Sequence, residues 1–190
     1  MALIDWLLPQ ISFTLDGPGI QLRPARRSDF AAWSDLRRLS ANHLQPFEPV
    51  WPADDLTRSG FARRLAAYEQ DMDRGVGYPF LIFRSSDQTL VGGITLSQIR
   101  RGVAQTGTLG YWIGPPFVRQ GLASRAVGTV ARFGFEHLKL HRLEAACLPD
   151  NSASQKVLQG QGFEREGLAR SYLKINGIWR DHVLYGRIAP

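Results

Sequence analysis

Two short stretches of this chain combine residue types that can hold an anion and move a proton. The first is Val118-Arg119-Gln120-Gly121-Leu122-Ala123-Ser124, between the apolar run Leu109–Ile113 and a helical pattern that starts at Gly121. A loop feeding a helix N-terminus leaves main-chain N–H groups without partners and aims the positive end of the helix dipole outward, which suits a phosphate. Gly121 and Ala123 keep the turn small, and Arg119 and Arg125 flank it with positive charge. The same residues also read as a plain strand-to-helix connection. Neither a phosphate loop ending in Lys-Ser/Thr nor a dinucleotide fingerprint occurs. The second stretch is Asn151-Ser152-Ala153-Ser154, with Gly162-Phe163 after it. Asn151 and Ser152 both suit an N-cap. Ser154, one turn in, adds a polar side chain beside whatever the first stretch binds.

Other residues with reactive side chains divide quickly. Glu48 sits in Leu44-Gln45-Pro46-Phe47-Glu48-Pro49-Val50-Trp51-Pro52, where three prolines exclude a helix interior and brace an aromatic-rich loop. It reads as a general base, as a holder of an incoming ammonium, or as a loop-fastening acceptor. His137 and His141 are four apart, but a helix end near Leu138 separates them, so no metal site is expected. The single cysteine, Cys147, rules out an internal disulfide and reads as a packed strand residue. No Gly-x-Ser-x-Gly elbow is present, which argues against a covalent serine route.

The elements that position these residues follow from periodicity. Ile11–Leu15 and Ile20–Pro24 read as short strands around the turn Asp16–Gly19. Ser28-Asp29 offers an N-cap for a helix carrying Phe30, Trp33, Leu36 and Leu39, and a second helical pattern runs from Leu56 to about Arg74. Tyr78–Arg84, Leu90–Ile99 and Leu109–Ile113 read as strands. A helix from Gly121 to about Leu138 carries Leu122, Ala126, Val130 and Phe133 on one stripe. Arg142–Leu148 is a strand, Ser152–Gln159 a short helix, and Tyr172–Ile175 and Ile178–Arg187 form a hairpin around Asn176-Gly177. Antiparallel pairs followed by a β–α–β–α–β run give a mixed α/β class.

At 190 residues the chain reads as a single domain, with its core at about 10–188. No apolar run is long enough to span a bilayer, and Met1–Leu8 lacks the features of a signal peptide, so a cytoplasmic protein without membrane contact is expected. The formal charge is +6, and Val91–Pro149, with seven bases against two acids, carries +5 of it. That asymmetry reads as a solvated basic face or as a surface for a polyanion.

Five segments resemble the GNAT acetyltransferases. Val118–Ala123 is similar to their pyrophosphate loop, with Val118 where the family prefers Gln or Arg and Arg119 where Gly is common. Asn151 to Ser154 with Gly162-Phe163 is similar to a second family element. Leu44–Val50, Leu109–Gly114 and the tail Gly177–Leu184 resemble the RimJ/RimL group, which acetylates the N-terminal α-amine of ribosomal proteins; Phe47 replaces that group's usual Trp. The resemblance implies a mostly antiparallel twisted sheet flanked by helices, with a splayed parallel strand pair at the acetyl-CoA site. It implies acetyl-CoA as acyl donor, held by Trp112, Ile113, Val118, Arg119, Gln120, Gly121, Leu122, Ala123, Ser124, Asn151 and Ser154. The acceptor, a protein N-terminus with alanine first, would meet Phe47, Glu48, Trp51 and Tyr172. An N–H near Ile113 would meet the oxyanion, and Ser154, or else Tyr111 or Tyr172, would protonate the leaving thiolate. A peptide α-amine has a pKa near about 8, so a carboxylate such as Glu48 suffices as base. The basic surface would contact the ribosome, as a monomer or homodimer. The alternatives are acetylation of a small-molecule amine, or a CoA- or RNA-binding protein without activity.

Overall fold

The computed structural model describes residues 14–190. The beginning of the predicted strand Ile11–Leu15, and the Met1–Leu8 reading, lie outside the described residues. Eight strands form one sheet: β1 (Leu15–Gly17), β2 (Ile20–Arg23), β3 (Tyr78–Arg84), β4 (Leu90–Arg100), β5 (Thr106–Ile113), β6 (Arg142–Cys147), β7 (Glu164–Ile175) and β8 (Ile178–Ile188). Their order is β1-β2-β3-β4-β5-β6-β8-β7, and every neighbouring pair is antiparallel except β5–β6. Four helices flank it: α1 (Phe30–Leu44), α2 (Arg58–Asp73), α3 (Leu122–Glu136) and α4 (Ser152–Gly160). The expected mixed α/β architecture with a parallel pair is present.

Strand alternation sorts the side chains onto two faces. Leu122, Ala126, Val127 and Val130 of α3 and Leu158 of α4 pack with Leu109, Leu143, Val183 and Tyr185 of the sheet. On the opposite face, Trp33 and Leu36 of α1 and Phe61 and Leu65 of α2 pack with Leu81, Phe83 and Trp112. Tyr111 and Ile113 belong to the first face and Trp112 to the second. The parallel pairing runs from Thr106↔Arg142 to Leu109↔Ala145 and stops, although both strands continue. Beyond that point β5 and β6 diverge and leave a slot through the sheet.

Local chemistry accounts for the helix ends. Thr57 caps α2 by accepting the Gly60 N–H at 3.0 Å, and Asn151 caps α4 by accepting the Ser154 N–H at 3.0 Å. At the end of α4, Phe163 N–H bonds Leu158 O and Gly162 N–H bonds Gln159 O, both at 3.0 Å, with Gly162 at φ +75°.

Three expectations are corrected. Leu39 is 62% exposed: it lies nine residues from Phe30, which at about 100° per residue is the opposite side of the helix. Arg37, Ser40 and Leu44 face inward instead. Asp29 does not cap α1 with its side chain; it accepts the Arg26 N–H at 2.7 Å and pairs with Arg23. β7 begins at Glu164, eight residues before the predicted Tyr172, because its exposed polar first half shows no apolar alternation.

Candidate active site

A cavity of about 500 Å³ passes from the α1–α2 side of the sheet to α4. Phe47, Glu48, Trp51, Tyr111, Trp112, Asn151 and Ser154, all singled out from sequence, line it together. On the α4 side, Tyr111 Oη lies 2.9 Å from Ser154 Oγ, with Ser154 held in place through the Asn151 cap. Burial pushes the Tyr111 hydroxyl up to about 12, against a smaller lowering by Ser154. It therefore stays protonated at neutral pH and is a proton donor. Cys147, also in the lining, has its thiol pushed up by burial and is a poor nucleophile.

Ile113 ends β5 beside the slot. The Gly114 N–H is spent on Val91 O of β4 at 2.9 Å. Strand alternation therefore turns the Ile113 N–H toward the opposite edge, where β6 no longer pairs with β5. Among the described residues this donor has no partner, and beside the gap it suits an oxygen that gains negative charge.

On the α1–α2 side, Glu48 is a clamp. Its carboxylate accepts from both terminal nitrogens of Arg37, at 2.9 and 2.7 Å, and from Trp51 Nε1 at 2.7 Å. Its carbonyl accepts the Asn176 N–H at 2.9 Å, tying the loop to the β7–β8 hairpin. The Arg37 guanidinium lies 4.0 Å from the Trp51 ring centroid and 4.9 Å from that of Trp112. Gly93 opposite Trp112 makes this stack possible, because a Cβ there would come within 2.6 Å of the Trp112 indole nitrogen.

The Val118–Ser124 loop lies outside this cavity; Gln120 and Leu122 border a smaller hollow of about 260 Å³ with Gly19, Arg84, Ser86 and Arg125. Gly121, the N-cap of α3, takes φ +72°, and Arg119 takes φ +61°. Arg125 fastens the turn by donating to Gln120 O at 2.7 Å and Pro18 O at 3.1 Å. Val118 N–H bonds Pro115 O at 3.5 Å, and the next amide with a chain partner among the described residues is that of Arg125, which bonds Gly121 O at 3.1 Å. Those of Leu122, Ala123 and Ser124 have none among the described residues, so a diphosphate fits here on three aligned donors. Ser124 Oγ accepts from Gln161 at 2.8 Å. Val118 is 38% exposed at the mouth of the turn.

Tyr172 does not line the cavity; it contacts the ring of His182 edge-on at 5.8 Å. His182, which lines the cavity and is only 3% exposed, was missed from sequence. The available signal was strand parity: with Val183 and Tyr185 on the α3–α4 face, residue 182 must face the other way. Arg37 was missed as well, although a charge on the inward stripe of α1 requires a partner.

The basic surplus is largely used within the fold. Arg100 and Arg142 pair with Glu144, Arg142 also pairs with Glu166, and Arg101 and Arg132 donate to main-chain carbonyls. Among the described residues no metal-binding cluster occurs, and no helix is long and apolar enough to cross a membrane.

Comparison with known proteins places this geometry. The acetyltransferase (GNAT) domain family matches residues 20–164. The Bacillus subtilis probable N-acetyltransferase YjcK is 35% identical over 176 residues, covering 93% of this chain and 97% of that protein. The Escherichia coli [ribosomal protein uS5]-alanine N-acetyltransferase is 31% identical over 185 residues, covering 96% and 93%. The structure of Mycobacterium smegmatis RimJ in complex with CoA-disulfide superposes with a TM-score of 0.86 at 32% identity, covering 93% of this chain and 86% of that one. A GNAT family match over most of the chain and relatives aligned along nearly its whole length lead to one conclusion: the chain belongs to the GNAT family of N-acetyltransferases.

Proposed function

We propose that the protein transfers the acetyl group of acetyl-CoA to the N-terminal α-amine of a protein, a ribosomal protein beginning with alanine. One observation carries this: the slot past Leu109 and Ala145 opens onto proton-donating groups on the α4 side and an aromatic chamber on the other. The similarity to a uS5-alanine acetyltransferase over nearly the whole of both chains supports the choice of acceptor.

The free amides of Leu122–Ser124 hold the diphosphate of acetyl-CoA, beside Val118, Arg119, Gln120 and Gly121. Asn151 positions Ser154, and Trp112 walls the slot. The Ile113 N–H stabilises the oxyanion as the amine attacks the thioester carbonyl. Tyr111, in contact with Ser154, protonates the departing sulfur, whose pKa near about 8.5 makes modest help sufficient. Glu48 acts through geometry: with its oxygens committed to Arg37 and Trp51, it holds the chamber wall that Phe47 and Trp51 form around the acceptor.

The test is incubation with acetyl-CoA and N-terminal peptides of ribosomal proteins, read by thiol release and by a 42-dalton-class mass gain on the α-amine. Turnover on alanine-first peptides supports the reading. Turnover on a small amine with none on any peptide overturns the acceptor assignment.

A further inference from the structure

Direct transfer from a thioester leaves one task unassigned: an incoming amine must lose a proton, and Glu48 is already committed. His182 is placed to take that proton. It lies on β8, opposite Ala169 of β7 and one residue past the last β6–β8 pair, Cys147↔Val183. Its neighbours Val183 and Tyr185 pack on the α3–α4 face, so its ring enters the α1–α2 chamber that Trp51 and Trp112 wall. The group that protonates the thiolate lies on one face of the slot and His182 on the other, as a transfer through the sheet requires.

The ring is held in one tautomer. His182 Nδ1 lies 3.0 Å from the Arg180 carbonyl, which can only accept, so Nδ1 carries the hydrogen and the neutral ring has its lone pair on Nε2. Nε2 has no partner among the described residues, yet it is not one of the fully enclosed unsatisfied atoms. In a residue only 3% exposed, its access is through the cavity. A bulge in β7 between Ala169 and Leu173 sets Tyr172 against the ring, and Asp181 pins that bulge by accepting the Ser171 N–H at 2.8 Å. The charged groups around the chamber are already paired: Arg37 with Glu48, Arg64 with Asp55, and Arg180 with Asp150 at 3.6 Å. Tyr68, Tyr111 and Cys147 line the same cavity, and Tyr172 sits edge-on against the ring.

We propose that His182 Nε2 is the proton acceptor for the amine that attacks the thioester, an inference that rests on the acetyl-transfer reading above. One proton of the bound ammonium passes to Nε2 and on to solvent, which frees the lone pair that attacks. As the nitrogen–carbon bond forms and the carbon–sulfur bond breaks, the sulfur leaves with a proton from Tyr111, and water in the cavity carries the second proton shed by the nitrogen back to the tyrosine.

The test uses His182→Asn, whose amide nitrogen can keep the bond to the Arg180 carbonyl while the Nε2 lone pair is removed. Acetyl-CoA affinity is measured by calorimetry, and kcat/KM is followed against pH with whichever amine the wild-type protein acetylates. The expected result is unchanged acetyl-CoA affinity, a loss of about 10²- to 10⁴-fold at neutral pH, and a deficit that narrows as rising pH deprotonates the amine unaided. Partial rescue of His182→Ala by added imidazole is expected too. Wild-type activity in His182→Asn overturns the proposal. So does a deficit that is constant with pH and not rescued, which marks a positioning role. A wild-type protein inactive on every amine instead sinks the acetyl-transfer reading, and the proposal with it.

Discussion

Tyr111 on β5 and Ser154 on α4 touch hydroxyl to hydroxyl at 2.9 Å, across 43 residues of sequence. The pair bridges a strand that diverges from its neighbour and a helix cap that fixes where Ser154 sits. Tyr111→Phe keeps the ring and removes the donor. We expect kcat to fall by about 10²-fold with the affinity for acetyl-CoA unchanged, measured by steady-state kinetics and calorimetry.

The same tyrosine makes an alkaline signature. Folded Tyr111 ionises at about 12 against 10.0 for the free group. The folded state therefore keeps a proton that the unfolded chain gives up, and its stability is full below pH 10 and falls as pH rises toward 12. The loss is on the order of 2 kcal/mol. Tyr111→Phe should show a shallower decline in denaturant midpoint over that window, with Tyr185 and Cys147, which burial also raises, contributing to the remainder.

Removing the charge of Glu48 strands a guanidinium whose side chain is only 8% exposed. Glu48→Gln should cost about 3 kcal/mol, seen as a melting temperature lower by roughly 6–12 °C. Pairing it with Arg37→Met should recover most of that loss. Any fall in turnover should be the same at every pH, because this carboxylate is a strut. A deficit confined to low pH would return the role of base to Glu48.

Arg119 occupies a left-handed conformation, φ +61°, that glycine adopts without strain. Arg119→Gly should therefore raise stability by about 0.5–1 kcal/mol in urea denaturation. An unchanged or lower midpoint would mean that the arginine side chain contributes contacts outweighing its backbone strain.

A methyl group at residue 93 would reach the Trp112 ring. Gly93→Ala should push that indole off Arg37, costing about 1–3 kcal/mol. The KM for the amine should rise several-fold, while acetyl-CoA affinity, which the proposal assigns to the α3 turn, stays as it was.

Periodicity and turn chemistry made much of this molecule readable before its structure. Asn176-Gly177 does form the hairpin turn, with φ 45° and 82°, and Gly162 does end α4. The Gly121 turn was visible because a small residue before a helix is both a steric and an electrostatic statement. The misses are equally physical. Leu39 fell to counting in threes along a helix that repeats at 3.6. Glu48 was noticed and its role left open, because its partner Arg37 comes from a separate helix. Strand parity turns His182 away from the face of Val183 and Tyr185, but only the divergence of β5 from β6 gives that direction meaning.

That divergence also governs traffic. On the proposed reading, a sheet pierced at one point gives the acyl donor and the amine separate doors on opposite sides, so neither has to leave before the other can enter. Both can be resident together, and initial-rate plots with the two substrates varied should intersect rather than run parallel. No acylated form of the protein should accumulate when acetyl-CoA is supplied alone.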